Sequence, residues 1–300
     1  MSFAGQTAWI TGASSGIGAA LAREFASRGA RVVLSGRDQK RLQAVAEEIA
    51  ALGVSTGLDT NGDGVNRNTR SCRAEDKVRS RDTLVLPFEV TDEAAMLAAT
   101  GQATAWHGVD IFVANAGISQ RSAAVDTEMA VYRRIIDVDL TAQIAASQAL
   151  LPHLTARGSG RLVFISSIAG KVGVPMRTAY CAAKFGLIGY ADALRAELSQ
   201  SGVDVHVVCP GSVATDVSRN ALKADGSPRG KSDKAIDEGI PPHEAAAAIL
   251  EGIAAGQREI VVARGVEQAM GELRRTPDAL LDQMATMVAN GYMQKMQAEE

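Results

Sequence analysis

The sequence predicts a doubly wound α/β fold: a parallel sheet of about seven strands with helices on both faces. Three observations lead there. Short β-rich apolar runs alternate with helical patterns along most of the chain. Most of those runs are continuously apolar rather than alternating, as strands covered on both faces are. No internal repeat and no apolar run of membrane-spanning length offers a competing architecture. In such a fold, ligands sit beyond the carboxyl ends of the strands.

The strands are expected at 7–10, 31–35, 84–88, 109–113, 161–165, 203–208 and 259–262, and the main helices at 16–27, 39–51, 93–106, 126–155 and 178–201. Two polar stretches interrupt the rhythm. Residues 55–83 are rich in Gly, Asn, Arg and Asp without periodicity, which reads as an insertion before the third strand. Residues 217–242 follow the sixth strand on the ligand side and read as a substrate lid. We therefore divide the chain into one catalytic domain over 1–264 and a helical, Met-rich extension over 265–300. In that extension Met270, Leu273, Leu280, Leu281, Met284, Met287, Val288, Met293 and Met296 form helical apolar stripes.

Composition narrows the function classes. At 46% hydrophobic over 300 residues the chain can bury a large core, and a net charge of -3 argues against nucleic acid or an anionic membrane as the main partner. Cys72, Cys181 and Cys209 form no close pair and no metal spacing, which suits a reducing compartment. The first apolar segment runs straight into a glycine turn, with no signal peptide ahead of it; the expectation is a cytoplasmic protein.

That turn is Thr11-Gly12-Ala13-Ser14-Ser15-Gly16-Ile17-Gly18, directly after the first strand. A strand that enters a helix through glycines presents free N–H groups at a helix N terminus, an arrangement that binds phosphate. Gly12 allows the sharp turn, Gly16 allows close approach, and Gly18 lets the helix lie against the sheet. The spacing differs from the GxGxxG dinucleotide fingerprint. Nineteen residues after Gly18, where an acid would grip a ribose hydroxyl, stands Arg37, preceded by Ser35 and Gly36. An arginine there accepts a 2′-phosphate, so NADP (NADPH) is favoured over NAD. The bland alternative is a solvated Arg37 paired with Asp38.

Tyr180 and Lys184, four apart on a predicted helix, share one face, and Ser167 lies 13 positions earlier. A nearby ammonium favours an ionised phenol, and a hydroxyl donor at a carbonyl oxygen stabilises the charge that develops there during hydride delivery. Tyr-x-x-x-Lys alone is common by chance; beside the glycine turn it describes a held nucleotide with a proton-transfer pair next to it.

With these motifs the chain resembles the short-chain dehydrogenase/reductases of ordinary length over nearly its whole extent. The resemblance rests on the glycine turn, Asn115-Ala116-Gly117 after the fourth strand, Ser167, Tyr180, Lys184 and Pro210-Gly211-Ser212-Val213-Ala214-Thr215. Residues 165–175 and 177–184, with Ala224-Asp225-Gly226-Ser227, are similar to a branch that includes animal membrane-associated dehydrogenase/reductases. The resemblance implies a Rossmann-type domain and a set of roles. Tyr180 would exchange the proton at the substrate oxygen, Ser167 would hydrogen-bond that oxygen, and Lys184 would hold the nicotinamide ribose. Asn115, Ala116 and Gly117 would support the adenosine end, with Glu89 and Val90 at the adenine. Ser14, Ser15 and Ile17 would join the glycines at the phosphates, and Pro210, Gly211, Val213 and Thr215 would border the nicotinamide. The substrate would be a small carbonyl compound or alcohol.

The chain departs from the family pattern in four places. Asp139 stands where the family usually has asparagine; it keeps an acceptor and loses the amide donor, and it counts here as a fourth catalytic residue that weakens the site, pairs with the Lys184 network, or is a neutral swap because the backbone carbonyl does the work. Glu89 replaces a usual aspartate. The insertion has no counterpart in the family core; its Asp59-Thr60-Asn61-Gly62-Asp63-Gly64 looks like half a calcium loop, but Arg70 occupies the position of the bidentate acid, so no metal is expected. The Met-rich extension serves core packing, pocket closure, a subunit contact or, as the lesser alternative, peripheral membrane contact. A homodimer or homotetramer is expected from surplus apolar positions on the helices over 126–155 and 178–201: Ala142, Ala145, Ala146, Ala149, Leu150, Phe185, Leu187, Ile188, Ala191 and Leu194. The rival functional reading is a low-turnover nucleotide-binding protein with a redox-sensing or scaffold role, and Asp139 is its one support.

Overall fold

The computed structural model describes residues 2–55, 82–292 and 294–295. Seven strands form one parallel sheet: β1 (Thr7–Thr11), β2 (Arg31–Gly36), β3 (Thr83–Pro87), β4 (Ile111–Ala114), β5 (Gly160–Ile165), β6 (Val203–Pro210) and β7 (Glu259–Val262), in the order β3-β2-β1-β4-β5-β6-β7. The order reverses between β1 and β4, which opens a crevice at their carboxyl ends. The fourth strand starts later than its apolar run does: the Val109 N–H is donated to His153 Nε2 at 3.1 Å and so cannot join the ladder.

The helices are α1 (Gly16–Ser27), α2 (Gln39–Ser55), α3 (Glu93–His107), α4 (Met129–Ile136), α5 (Ala142–Arg157), α6 (Thr178–Glu197), α7 (Lys234–Asp237), α8 (Pro242–Ala254), α9 (Gly265–Leu273) and α10 (Asp278–Ala289). One face of the sheet buries Ile10, Leu34, Val113 and Val208 against α1, α2 and α8. The other buries Trp9, Phe112, Phe164 and Val207 against α3, α5 and α6. Both faces being covered is why the strands read as unbroken apolar runs.

Two expectations about the helices change. The pattern over 126–155 is not one α-helix: α4 begins at Met129, and a wide turn over Asp137–Thr141 separates it from α5. Such a turn carries an extra residue and disturbs the backbone ladder. Gln143 compensates by donating its amide to the Val138 carbonyl at 2.9 Å and the Ala116 carbonyl at 2.8 Å. Likewise, the apolar surplus assigned to a subunit contact is mostly consumed inside the chain. Ala142, Ala146, Leu150, Leu187, Ala191 and Leu194 are buried in the chain's own core, and Ala145, Ala149 and Ile188 pack at its margin. The 178–201 helix also ends at Glu197 and finishes in one tighter turn, Leu198–Gln200.

The extension folds back onto the sheet domain. The α9 helix packs on β7 and on the single turn Ile168–Gly170, and α10 packs on α6. Its stripes are only partly covered: Leu281 is buried, while Val266, Met270, Leu273, Leu280 and Met287 are exposed. Among the described residues no helix is long and apolar enough to cross a membrane. The half calcium loop at 59–64, Arg70, Cys72, Met293 and Met296 lie outside the described residues.

Candidate active site

A cleft of about 410 Å³ runs along the carboxyl ends of the strands, a size usual for a small-molecule site. At one end lies the glycine turn. Gly12 and Gly16 adopt positive φ, +66° and +54°. A Cβ on Gly12 would come within 2.9 Å of Asn115 Nδ2, and one on Gly18 would strike the Gly12 carbonyl. Ser15 enters α1 in extended conformation with no side-chain bond to the first turn. An uncapped helix start cradled by glycines fits a pyrophosphate.

Asn115 holds this turn from the neighbouring strand. Its side-chain amide donates to the Thr11 carbonyl at 2.9 Å and lies 3.4 Å from that of Gly12, while the Thr11 hydroxyl receives the N–H groups of Asn115 and Ala116. Its amide donors are spent on backbone, which leaves its side-chain oxygen as the group open to the cleft.

The far wall of this end carries Arg37, Glu89 and Val90. Arg37 does not pair with Asp38, which is taken by Arg41 at 3.4 Å. It lies 3.5 Å from Glu89, which also faces Arg134 at 3.7 Å. Arg134 lines the cleft too. It escaped the sequence reading, because nothing in its neighbourhood marks it apart from an ordinary solvated helix arginine.

At the other end stand Ser167, Tyr180 and Lys184. Ser167 ends the loop after β5; its hydroxyl accepts the Ala169 N–H at 3.1 Å and points to the Pro210 carbonyl at 3.4 Å. Tyr180 is half-buried in the second position after Thr178 opens α6, and the Lys184 ammonium lies 5.6 Å from its ring centroid. Lys184 is buried and donates to the Ile165 carbonyl at 3.0 Å. Ser166, unnoticed in the sequence, donates to the Lys184 carbonyl at 3.0 Å and ties the serine loop to α6.

Asp139 completes this end. The wide turn carries it into the interior, where it is fully buried with Oδ2 at 3.2 Å from Lys184 Nζ and Oδ1 accepting the Ile118 N–H at 2.8 Å. Gly117 makes room: a Cβ there would sit 3.1 Å from Oδ2 and 3.5 Å from Nζ. Burial pushes the Asp139 carboxyl up, against the pull of the Lys184 ammonium. Burial would likewise drive Lys184 down, but the Asp139 carboxylate and the Tyr180 phenol outweigh it and hold the ammonium above the ordinary lysine range. One carboxylate oxygen takes an N–H and the other faces a cation, so the pair is ionic.

Pro210, Gly211, Val213 and Thr215 border the same end, and Val217, Asn220 and Ile236 of the segment expected to form a lid line it too. The lid is pinned from outside its own sequence. Asp233 meets Arg121 at 3.1 Å, Arg177 at 3.2 Å and Arg229 at 2.7 Å. Burial pushes the Asp233 carboxyl up, yet the Arg229 hydrogen bond and the charges of Arg121 and Arg229 outweigh it and hold it below the ordinary carboxylate range. Behind the loop, burial above all pushes the Cys209 thiol up to about 12, which removes it as a nucleophile.

The relatives agree with this geometry. The short chain dehydrogenase family matches residues 6–64 and 50–226. The chain is 36% identical over 255 residues to dehydrogenase/reductase SDR family member 7B of Danio rerio, covering 85% of this chain and 76% of that one. Among solved structures, a putative gluconate dehydrogenase from Agrobacterium tumefaciens superimposes with a TM-score of 0.70 at 23% identity, covering 89% of this chain and 97% of that one, a likeness of fold. A metagenomic short-chain oxidoreductase in complex with NADP does so with a TM-score of 0.66 at 30% identity, covering 89% of this chain and all of that one. With a parallel seven-stranded sheet, a glycine cradle at its crevice and relatives of this kind, the chain belongs to the short-chain dehydrogenase/reductase family of oxidoreductases.

Proposed function

We propose that this chain is an NADP(H)-dependent oxidoreductase that interconverts a ketone or aldehyde with an alcohol. The observation that carries the proposal is the single cleft with a glycine phosphate cradle and Arg37 at one end and Ser167, Tyr180 and Lys184 at the other. When bound, the reduced nicotinamide supplies a hydride to the carbonyl carbon. Tyr180 donates its phenolic proton to the carbonyl oxygen, and Ser167 holds that oxygen while charge gathers on it. Lys184 steadies the phenolate left behind. Val213, Val217 and Ile236 give the substrate end an apolar wall beside the polar Asn220 and Arg177, which supports aliphatic or hydroxysteroid-like ketones or 3-oxoacyl thioesters. Following NADPH absorbance against such a panel tests the reading; no turnover with any carbonyl class would reject it. Asp139, the one support for a low-turnover nucleotide-binding protein, sits in an ion pair that keeps Lys184 charged, which favours the enzyme.

Arg37 is mostly exposed at the cleft rim, free to turn from Glu89 to a 2′-phosphate. The expected result is tighter binding of NADPH than NADH, with Arg37→Asp erasing the difference. A charge-assisted contact of about 1.5–3 kcal/mol corresponds to about one to two decades in affinity. Equal Kd values for the two cofactors in the native protein would remove this role.

Asp139→Asn tests the acid in place of asparagine. Without the carboxylate, the main influence opposing burial at Lys184 is gone and Lys184 is lowered, while its ammonium acts on Tyr180 unopposed. Both limbs of the pH–rate profile should move downward, by about one pH unit, with activity near neutrality at least that of the native enzyme. The measurement is kcat/KM across pH on one ketone; a large loss over the whole range would mean the site is adapted to the carboxylate.

A dimer or tetramer remains our proposal for assembly, on the exposed small-residue face of α6 at Ala182, Gly189 and Ala193. Light scattering at micromolar concentration should then exceed the 31.3 kDa of one chain.

A further inference from the structure

At the end of β6 and in the loop after it, Pro210, Gly211, Val213 and Thr215 line the cleft. Ser212 does not; it faces α9. Glu267, in the first turn of α9, takes both of its donors: the Ser212 N–H reaches Oε2 at 2.7 Å and the hydroxyl reaches Oε1 at 2.8 Å. An acid at that position ordinarily serves its own helix N terminus, but here both oxygens are spent on a different segment, 55 residues away. The peptide between Gly211 and Ser212 is planar and trans, so an N–H held by Glu267 aims the Gly211 carbonyl the opposite way, away from α9. From the other side the Ser212 carbonyl accepts the Ile240 N–H at 2.9 Å.

One turn further along α9, Gly271 is buried, and a Cβ there would lie 2.8 Å from Val261 and 2.9 Å from Ile168, the residue after Ser167. The face of α9 that carries Glu267 and Gly271 therefore touches both loops at the catalytic end. The rest of the helix is largely solvent-exposed, with Val266 and Leu273 in water.

We infer that Glu267 is a positioning residue for the nicotinamide half of the cofactor site, acting through Ser212. The inference rests on the NADP(H) reading. The extension is then part of the catalytic apparatus: it orients the loop peptides that face the nicotinamide and has no part in holding the adenosine half, which lies at β2 and β3 on the far side of β1, β4 and β5.

The test compares two ligands on the full chain. NADPH carries the nicotinamide; 2′-phospho-ADP-ribose keeps the same adenosine and phosphates without it. Glu267→Ala should bind NADPH about tenfold more weakly, while its affinity for 2′-phospho-ADP-ribose stays within about twofold. Glu267→Gln, which keeps one acceptor for the Ser212 hydroxyl, should fall between native and Ala. Thermal unfolding checks that each variant is folded, and if the Ala protein is not, the Gln protein decides by the same comparison. Unchanged NADPH affinity, or equal losses for both ligands, overturns the inference while leaving the cofactor reading intact. Failure of the native protein to bind either ligand overturns the cofactor reading and the inference with it.

Discussion

Tyr180→Phe is expected to lower kcat by about 10²–10⁴-fold while leaving NADPH affinity within a few-fold. The change removes one oxygen. The ring keeps its packing against the small cluster of Val131, Ile135, Ala179 and Ala183, and it keeps its place below the Lys184 ammonium. What is lost is the proton that the substrate oxygen needs as hydride arrives, an interaction made chiefly in the transition state. In the proposed function the phosphates and adenosine are held by the glycine turn and Arg37, at the other end of the cleft. Single-turnover NADPH oxidation and fluorescence titration measure the two quantities separately. A Phe variant with native kcat would remove the proton-transfer role from Tyr180.

How much of this was legible in the chain depends on distance along it. The strands were readable because burial on both faces leaves a local mark, a short apolar run, and the trio of Ser167, Tyr180 and Lys184 falls within 18 residues. The wide turn at Asp137–Thr141 was not readable, since an added residue hardly disturbs the apolar pattern of α4 and α5. Its cause is visible only in space, where Asp139, Gly117 and Lys184 meet. The same holds for the lid: Asp233 gathers Arg121 and Arg177 from segments more than 50 residues away, and each alone resembles a solvated charge. The apolar positions of α5 and α6 pointed to a second subunit because the sequence does not announce how many of them the chain's own core buries.

Lys184→Met should produce the largest change in stability, a loss of about 3–5 kcal/mol at neutral pH, because it strands the Asp139 carboxylate in the interior without its cation. The direction with pH follows from the same cause. Burial already pushes the Asp139 carboxyl up, and removing the ammonium that opposes this pushes it further. A carboxyl raised in the folded state is penalised from its unfolded value upward, the penalty growing until its folded value is reached, so the deficit of the Met variant should shrink as pH falls toward the ordinary carboxylate range. Pairing the change with Asp139→Asn removes the second charge as well. The double variant buries two neutral side chains of similar size and should regain most of the lost stability, as replaced ion pairs commonly do. Turnover should not return with it, because no ammonium then stands 5.6 Å from the Tyr180 ring to steady the phenolate. Urea unfolding across pH and NADPH-linked turnover, measured on the native protein and the three variants, separate the two roles. A double variant no more stable than Lys184→Met would show that Asp139 is not charged in the fold. A double variant that regained turnover along with stability would show that Lys184 serves the structure alone.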